Sequence, residues 1–243
     1  MYPTRTRAAA LAACLASLAL ATSCQQFFTS SLAAYLARDS YTIPADLPVD
    51  DAIELLEAAM AQGDSATAAA LVTPLLAAAT AASSDPASAA YNEAATALAS
   101  AVVLSSGVGT AVTSMAQLFL AADEETDEAA MMETIADTIS SVTLSDAEVD
   151  ALSLIAENPP AGLGADDAYA AAVALVSNAF ATTETDINDI GSLTAEQTDA
   201  IAADPSMIAA LSLIEYAGTV DVGESLIGSL LGGFDLSSFE TTP

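Results

Sequence analysis

The sequence predicts an all-α protein, an antiparallel array or bundle of helix hairpins. Three observations lead there. Alanine, the strongest helix former, dominates the 243 residues. Apolar residues recur at helical spacing along most of the chain, and the period-two alternation of strands is nearly absent. Helix start signals recur as well. Ser145-Asp146-Ala147-Glu148 and Thr194-Ala195-Glu196-Gln197 read as capping boxes, in which side chain and backbone satisfy each other at the first turn. Asp85-Pro86 and Asp204-Pro205 place a capping Asp before a Pro suited to the first helical position.

The chain opens with an export signal. Arg5 and Arg7 form a small positive region, and Ala8 to Ala21 follow without a charge. Such a stretch fits a signal-peptide core and is short of the ~20 residues a membrane-spanning helix needs. Leu20-Ala21-Thr22-Ser23 then leads into Cys24, small residues ahead of a cysteine as a lipoprotein signal peptidase requires. Lipid at Cys24 is therefore expected, with residues 1–23 removed. Leu11-Ala12-Ala13-Cys14 is the competing box, but cleavage there leaves an apolar core too short for export. Ordinary secretion, cut after Ala19-Leu20-Ala21, is the other reading. Two or three acyl chains hold a protein stably at a membrane, whereas one is marginal.

Residues 24–48 read as the lipidated Cys24, a short membrane-proximal helix and a loop. Phe28, Leu32, Tyr35 and Leu36 share a helix face, Arg38-Asp39 closes it, and Pro44 and Pro48 mark the loop. The main helical domain is expected over 49–233, with a possible sub-boundary near 122. Ile53, Leu56 and Met60 fall at helical spacing, Gly63 ends that helix, and Asp64 caps the next, which carries Leu71, Leu75 and Leu76. Tyr91, Leu98 and Val102 line a buried face, and Ser106-Gly107-Val108-Gly109 is a turn between helices. Val112, Met115 and Leu118 continue. Met131, Ile135 and Ile139 stand four apart, then Val149, Leu152 and Ile155 precede the stop at Pro159-Pro160. Tyr169, Val173, Val176 and Phe180 form a core stripe, a loop spans roughly 182–193, and Ile208, Leu211 and Ile214 mark the helix after Pro205. Leu226, Ile227, Leu230 and Leu231 mark a last helix with Gly228 and Gly232 spaced for close packing. Residues 234–243 are expected to fray. About ten helices with short turns suit antiparallel pairing.

Composition removes most chemistries. The chain has 33 Asp+Glu against 3 Lys+Arg and no His. Once residues 1–23 are gone, Arg38 is the sole cation and Cys24 the sole cysteine. No disulfide, no Ser-His-Asp or Cys-His pair, no Schiff base and no phosphate-loop Lys is then available. Nucleic acid needs Lys and Arg to neutralise phosphates, so no nucleic-acid partner is expected. No cofactor is expected either. Carboxylate pairs permit glycosidase chemistry, yet sugar sites usually add aromatic stacking surfaces and aromatics are only 5% here. A non-enzyme is the expectation. The formal charge of −30 repels the folded state against itself, a penalty molar salt removes. That pattern fits a saline or alkaline habitat, and an acidic lineage bias is the alternative.

Two resemblances add to this. Ala52 to Thr80, with Ala61-Gln62-Gly63-Asp64 at its turn, resembles a tetratricopeptide helical hairpin, which implies a repeat-like fold at least in the N-terminal half. Cys24-Gln25-Gln26-Phe27-Phe28-Thr29-Ser30-Ser31-Leu32, with Arg38-Asp39 after it, is similar to spirochaete lipoproteins, which tolerate a loose Ala-Thr-Ser-Cys box. That resemblance implies a membrane-tethered helical protein and supplies no catalytic residues.

Candidate sites are few. Asp123, Glu124, Glu125, Asp127 and Glu128 form the densest acidic cluster. They suit weak cation binding, Ca²⁺ above all, or simply the solvated first turn of a helix, where acids favour the dipole. Glu184 to Gly191 resembles an EF-hand loop in part, but Ile190 and Gln197 stand where oxygen ligands belong; a polar loop is the other reading. Arg38 reads as a clamp for a ligand carboxylate, or as the partner of Asp39 or of a helix C-terminus. The functional expectation is a membrane-anchored, extracytoplasmic lipoprotein on the periplasmic or cell-surface face, acting as a protein-interaction scaffold. Its partners are membrane lipid through the anchor and another protein. The alternative is a small-molecule or lipid-binding accessory lipoprotein, for instance of a transporter, suggested by a mean hydropathy of +0.50.

Overall fold

A computed structural model describes residues 43–121 and 128–220. Every helix below lies in one compact unit that begins at Pro44. The described residues hold α1 (Val49–Gln62), α2 (Ser65–Ala82), α3 (Ala89–Ser105), α4 (Val108–Ala121), α5 (Glu128–Ser140), α6 (Asp146–Glu157), α7 (Ala165–Thr182), α8 (Ala195–Ala202) and α9 (Pro205–Val220). A 3-10 helix, Ile187–Ser192, joins α7 to α8. No strand occurs among the described residues, so the all-α expectation stands.

Local chemistry sets the boundaries. Gly63 adopts φ 65°, a left-handed conformation that costs an L side chain, and so ends α1. The Asp64 N–H donates to the Ala59 carbonyl at 2.9 Å, closing the turn. Asp64 then caps α2, its carboxylate accepting from the Thr67 hydroxyl at 2.6 Å and the Thr67 N–H at 3.1 Å. Those bonds, the side-chain one first, hold Asp64 below its ordinary pKa. Both capping boxes form, at Ser145 and at Thr194. Asp204 opens α9 by accepting from the Ser206 N–H at 2.8 Å. Asp85-Pro86, by contrast, does not open a helix. Residues 85–88 make a turn closed by Ser88 N–H to the Asp85 carbonyl, and α3 starts at Ala89 with Ser88 as its cap. A hydroxyl three residues before Tyr91 satisfies its N–H, so the helix begins there.

The α1–α2–α3 run follows sequence order, and α2 and α3 form the most extensive pair. Beyond it the packing crosses the sequence. α6 packs on α2, α3 and α9, while α7 packs on α3, α4, α5 and α9. Helices on either side of residue 122 therefore touch. α7 sits innermost: Ala168, Ala171, Ala172, Ala174, Leu175 and Ala179 are all inaccessible to solvent. The predicted stripe on this helix is only partly core, since Val173 and Phe180 are buried while Tyr169 and Val176 are half-buried. Beyond its acidic first turn this helix is apolar on most faces and belongs inside, and alanines line its contacts together with Val173, Leu175 and Phe180.

The same effect rotates two other faces. On α1 the seam is Ala52, Leu55, Leu56 and Ala59, whereas Met60 is 53% exposed. On α9 it is Met207, Ala210, Leu213 and Ala217, whereas Ile208 is 53% exposed. Small side chains allow close helix approach, so contact centres on alanine and the neighbouring aliphatic residues turn outward. α2 alone among the described helices has the length and apolarity to cross a membrane, at a mean hydropathy of 1.5. It lies against α1, α3 and α6, and alanine accounts for its lack of charge.

Candidate functional site

An open groove of about 550 Å³ lies where α3 turns into α4. The two helices bend by 66° across Ser106-Gly107, the turn predicted from sequence. α3 contributes Ser100, Val103 and Leu104, and α4 contributes Gly109, Thr110, Thr113, Ser114 and Gln117. Met60 reaches in from the last turn of α1 and Asp167 from the first turn of α7. Among the described residues the lining joins the apolar side chains of Met60, Val103 and Leu104 to hydroxyl, amide and carboxylate groups, without an aromatic ring.

The hydrogen-bond directions matter. The Thr113 hydroxyl donates back to the Gly109 carbonyl at 2.8 Å, and the Ser100 hydroxyl to the Thr96 carbonyl at 3.2 Å. Their hydrogens are spent within the helices, so these hydroxyls present lone pairs to the groove. Asp167 adds a carboxylate. The residue is exposed overall, yet burial of its carboxyl, with Asp166 beside it, raises its pKa above the ordinary range. Electrostatically the last turns of α1 and α3 bring two negative helix ends of roughly half a charge each, against two positive ends from the first turns of α4 and α7. With Asp167 included, the balance is negative.

A second cavity of about 240 Å³ lies beside Ser177, Asn178, Phe180, Thr185 and Ile187. It is smaller than the ~300 Å³ at which ligand pockets usually begin. Ser177 is committed there, donating to the Val142 carbonyl at 2.9 Å.

One loop fixes the framework. Asn158 to Leu163 joins α6 to α7 and is held from both sides. Tyr91 on α3 donates to the Asn158 carbonyl at 2.5 Å, and the Asn92 amide oxygen accepts from the Ala161 N–H at 2.6 Å. Tyr216 on α9 bonds the carbonyls of Pro160 and Leu163 at 3.1 and 3.2 Å. Gly162 permits the close approach, because a Cβ there would lie 2.9 Å from the Thr96 hydroxyl. This loop leads directly into the turn of α7 that carries Asp167.

The predicted site residues fare as follows. Cys24, Arg38, Asp123, Glu124, Glu125 and Asp127 lie outside the described residues, as does the side chain of Glu128, the first residue of α5. Among the described residues no group of three acidic side chains is placed to hold a metal ion. The EF-hand-like segment forms the 3-10 helix instead. Asp186 accepts from the Asn188 N–H at 2.9 Å, and the Asn188 amide donates to Asp137 at 3.2 Å. Sequence reading located the Gly107 turn but not the groove above it. Asp167 carries no sequence signal, since its role depends on a helix distant in the chain. Comparison with protein families, curated proteins and solved structures finds no match for this chain.

Proposed function

We propose that this chain is a lipoprotein anchored through Cys24 on the periplasmic or cell-surface face, whose helical body is a non-enzymatic protein-interaction module. The groove at the α3–α4 turn is its contact site. The observation that carries the reading is a half-exposed Met60 at the edge of an open groove of about 550 Å³. An exposed methionine is a flexible, adaptable contact for a partner. The groove's openness favours this reading over the accessory-lipoprotein alternative, which calls for an enclosed apolar pocket. The α1–α2 hairpin, turned at Gly63, supports the tetratricopeptide-like reading of Ala52 to Thr80.

Two experiments test it. Metabolic labelling with a fatty-acid probe should mark the wild-type chain and fail on Cys24→Ala; labelling that persists in the variant removes the anchor from the reading. A photo-crosslinking residue placed at Gln117 should capture one partner reproducibly, and Met60→Asp should abolish that capture. Capture indifferent to Met60 would put the interaction elsewhere.

A further inference from the structure

We propose that the groove selects a lysine or arginine side chain presented by a partner protein, with Asp167 as its counter-ion. The inference rests on the interaction-module reading and specifies the chemistry of its site. Four observations carry it. Among the described residues that line the groove, Asp167 is the one with an ionisable side chain. The hydroxyls of Ser100 and Thr113 donate backward into their own helices and leave acceptors facing a ligand. The apolar lining of Met60, Val103 and Leu104 suits an aliphatic stem. No Lys, Arg or His occurs after Arg38, so an anionic ligand would meet no cationic side chain from residues 43–220.

Lys and Arg match this pattern on each point. Their heads are donors only, their stems are apolar, and they bury the stem while the head seeks a carboxylate. A quaternary ammonium does not match. It has no N–H to give the hydroxyls and is recognised through aromatic faces, which the described lining residues lack. The positive ends of α4 and α7 offset the two helix C-termini, so the Asp167 carboxylate sets the sign of the groove.

The test uses the full-length chain and two peptide pools read by fluorescence polarisation. Each pool has randomised flanks; one fixes a central arginine, the other citrulline, its neutral isostere. The arginine pool should bind about tenfold to a hundredfold more tightly, the range of a charge-assisted hydrogen bond. Asp167→Asn should erase that difference. Glu196→Gln, which removes one acidic charge outside the groove, should leave it intact. Equal loss in both variants means diffuse attraction to an acidic surface and overturns the proposal. Equal binding of both pools to the wild type, abolished by Met60→Asp, overturns the cation selection and leaves the interaction groove standing. Binding of neither pool overturns both.

Discussion

The phenol of Tyr91 donates to the backbone carbonyl of Asn158 at 2.5 Å, tying the core of α3 to the end of α6 across 67 positions of sequence. Tyr91 is fully inaccessible to solvent. Its hydroxyl satisfies a carbonyl left over where α6 stops before Pro159. Tyr91→Phe should lower stability by about 1–2 kcal/mol, because the carbonyl loses its partner while the ring still fills its site. Urea denaturation followed by circular dichroism measures it.

The same residue gives a pH dependence. Burial, and then Glu157, raise the Tyr91 pKa above 10.0, and burial raises that of Tyr216. Both phenols ionise more readily in the unfolded chain than in the folded one. Their contribution is therefore complete below pH 10.0 and is lost as pH rises through the higher folded values. Stability should fall above about pH 10 in the wild type. The double variant Tyr91→Phe, Tyr216→Phe should start lower and fall less; an unchanged alkaline slope would rule the phenols out.

Glu148 is 6% exposed and sits among three donors. It accepts from the Ser145 N–H and hydroxyl, both at 2.8 Å, and from the Ser105 hydroxyl at the end of α3. Glu148→Ala breaks the capping box and strands these donors, which should cost about 2 kcal/mol. Glu148→Gln keeps one acceptor oxygen and should cost roughly half of that. The order of the two midpoints in denaturant is the check.

The rotated face of α9 makes a paired prediction. Leu213 is fully buried and Ile208 is 53% exposed. Leu213→Ala should destabilise by about 2–5 kcal/mol, the range for emptied core sites. Ile208→Ala should stay within about 0.5 kcal/mol. Thermal melts that ranked the two variants the other way would place the core on the face of Ile208, Leu211 and Ile214.

Charge should make the fold salt-dependent. With a formal charge of −30 and few cations, self-repulsion acts across the whole molecule. The Debye length falls from ~10 Å at 0.1 M salt to ~3 Å at 1 M. The melting temperature should therefore climb between those concentrations, with NaCl and KCl alike. A flat response would mean that the carboxylates are spaced too widely to repel one another at 0.1 M.

The sequence by itself determined that this is a helical protein, and where most of its helices begin and stop. Gly63, Asp64, Asp204 and the boxes at Ser145 and Thr194 act through neighbours within a turn, so their meaning is local. Composition likewise removed His- and Lys-dependent chemistry without reference to any fold. What only the tertiary structure decided is which face of each helix is buried. In a chain this rich in alanine the small residue occurs on every face, so periodicity of the large aliphatics loses its contrast. Met60 and Ile208 then read as core and lie outside, while Ala52 and Ala210 make the contacts. The groove belongs to the same category. Met60, Val103, Gln117 and Asp167 come from four helices, and no spacing along the chain announces a site whose walls meet only when α7 packs on α3 and α4.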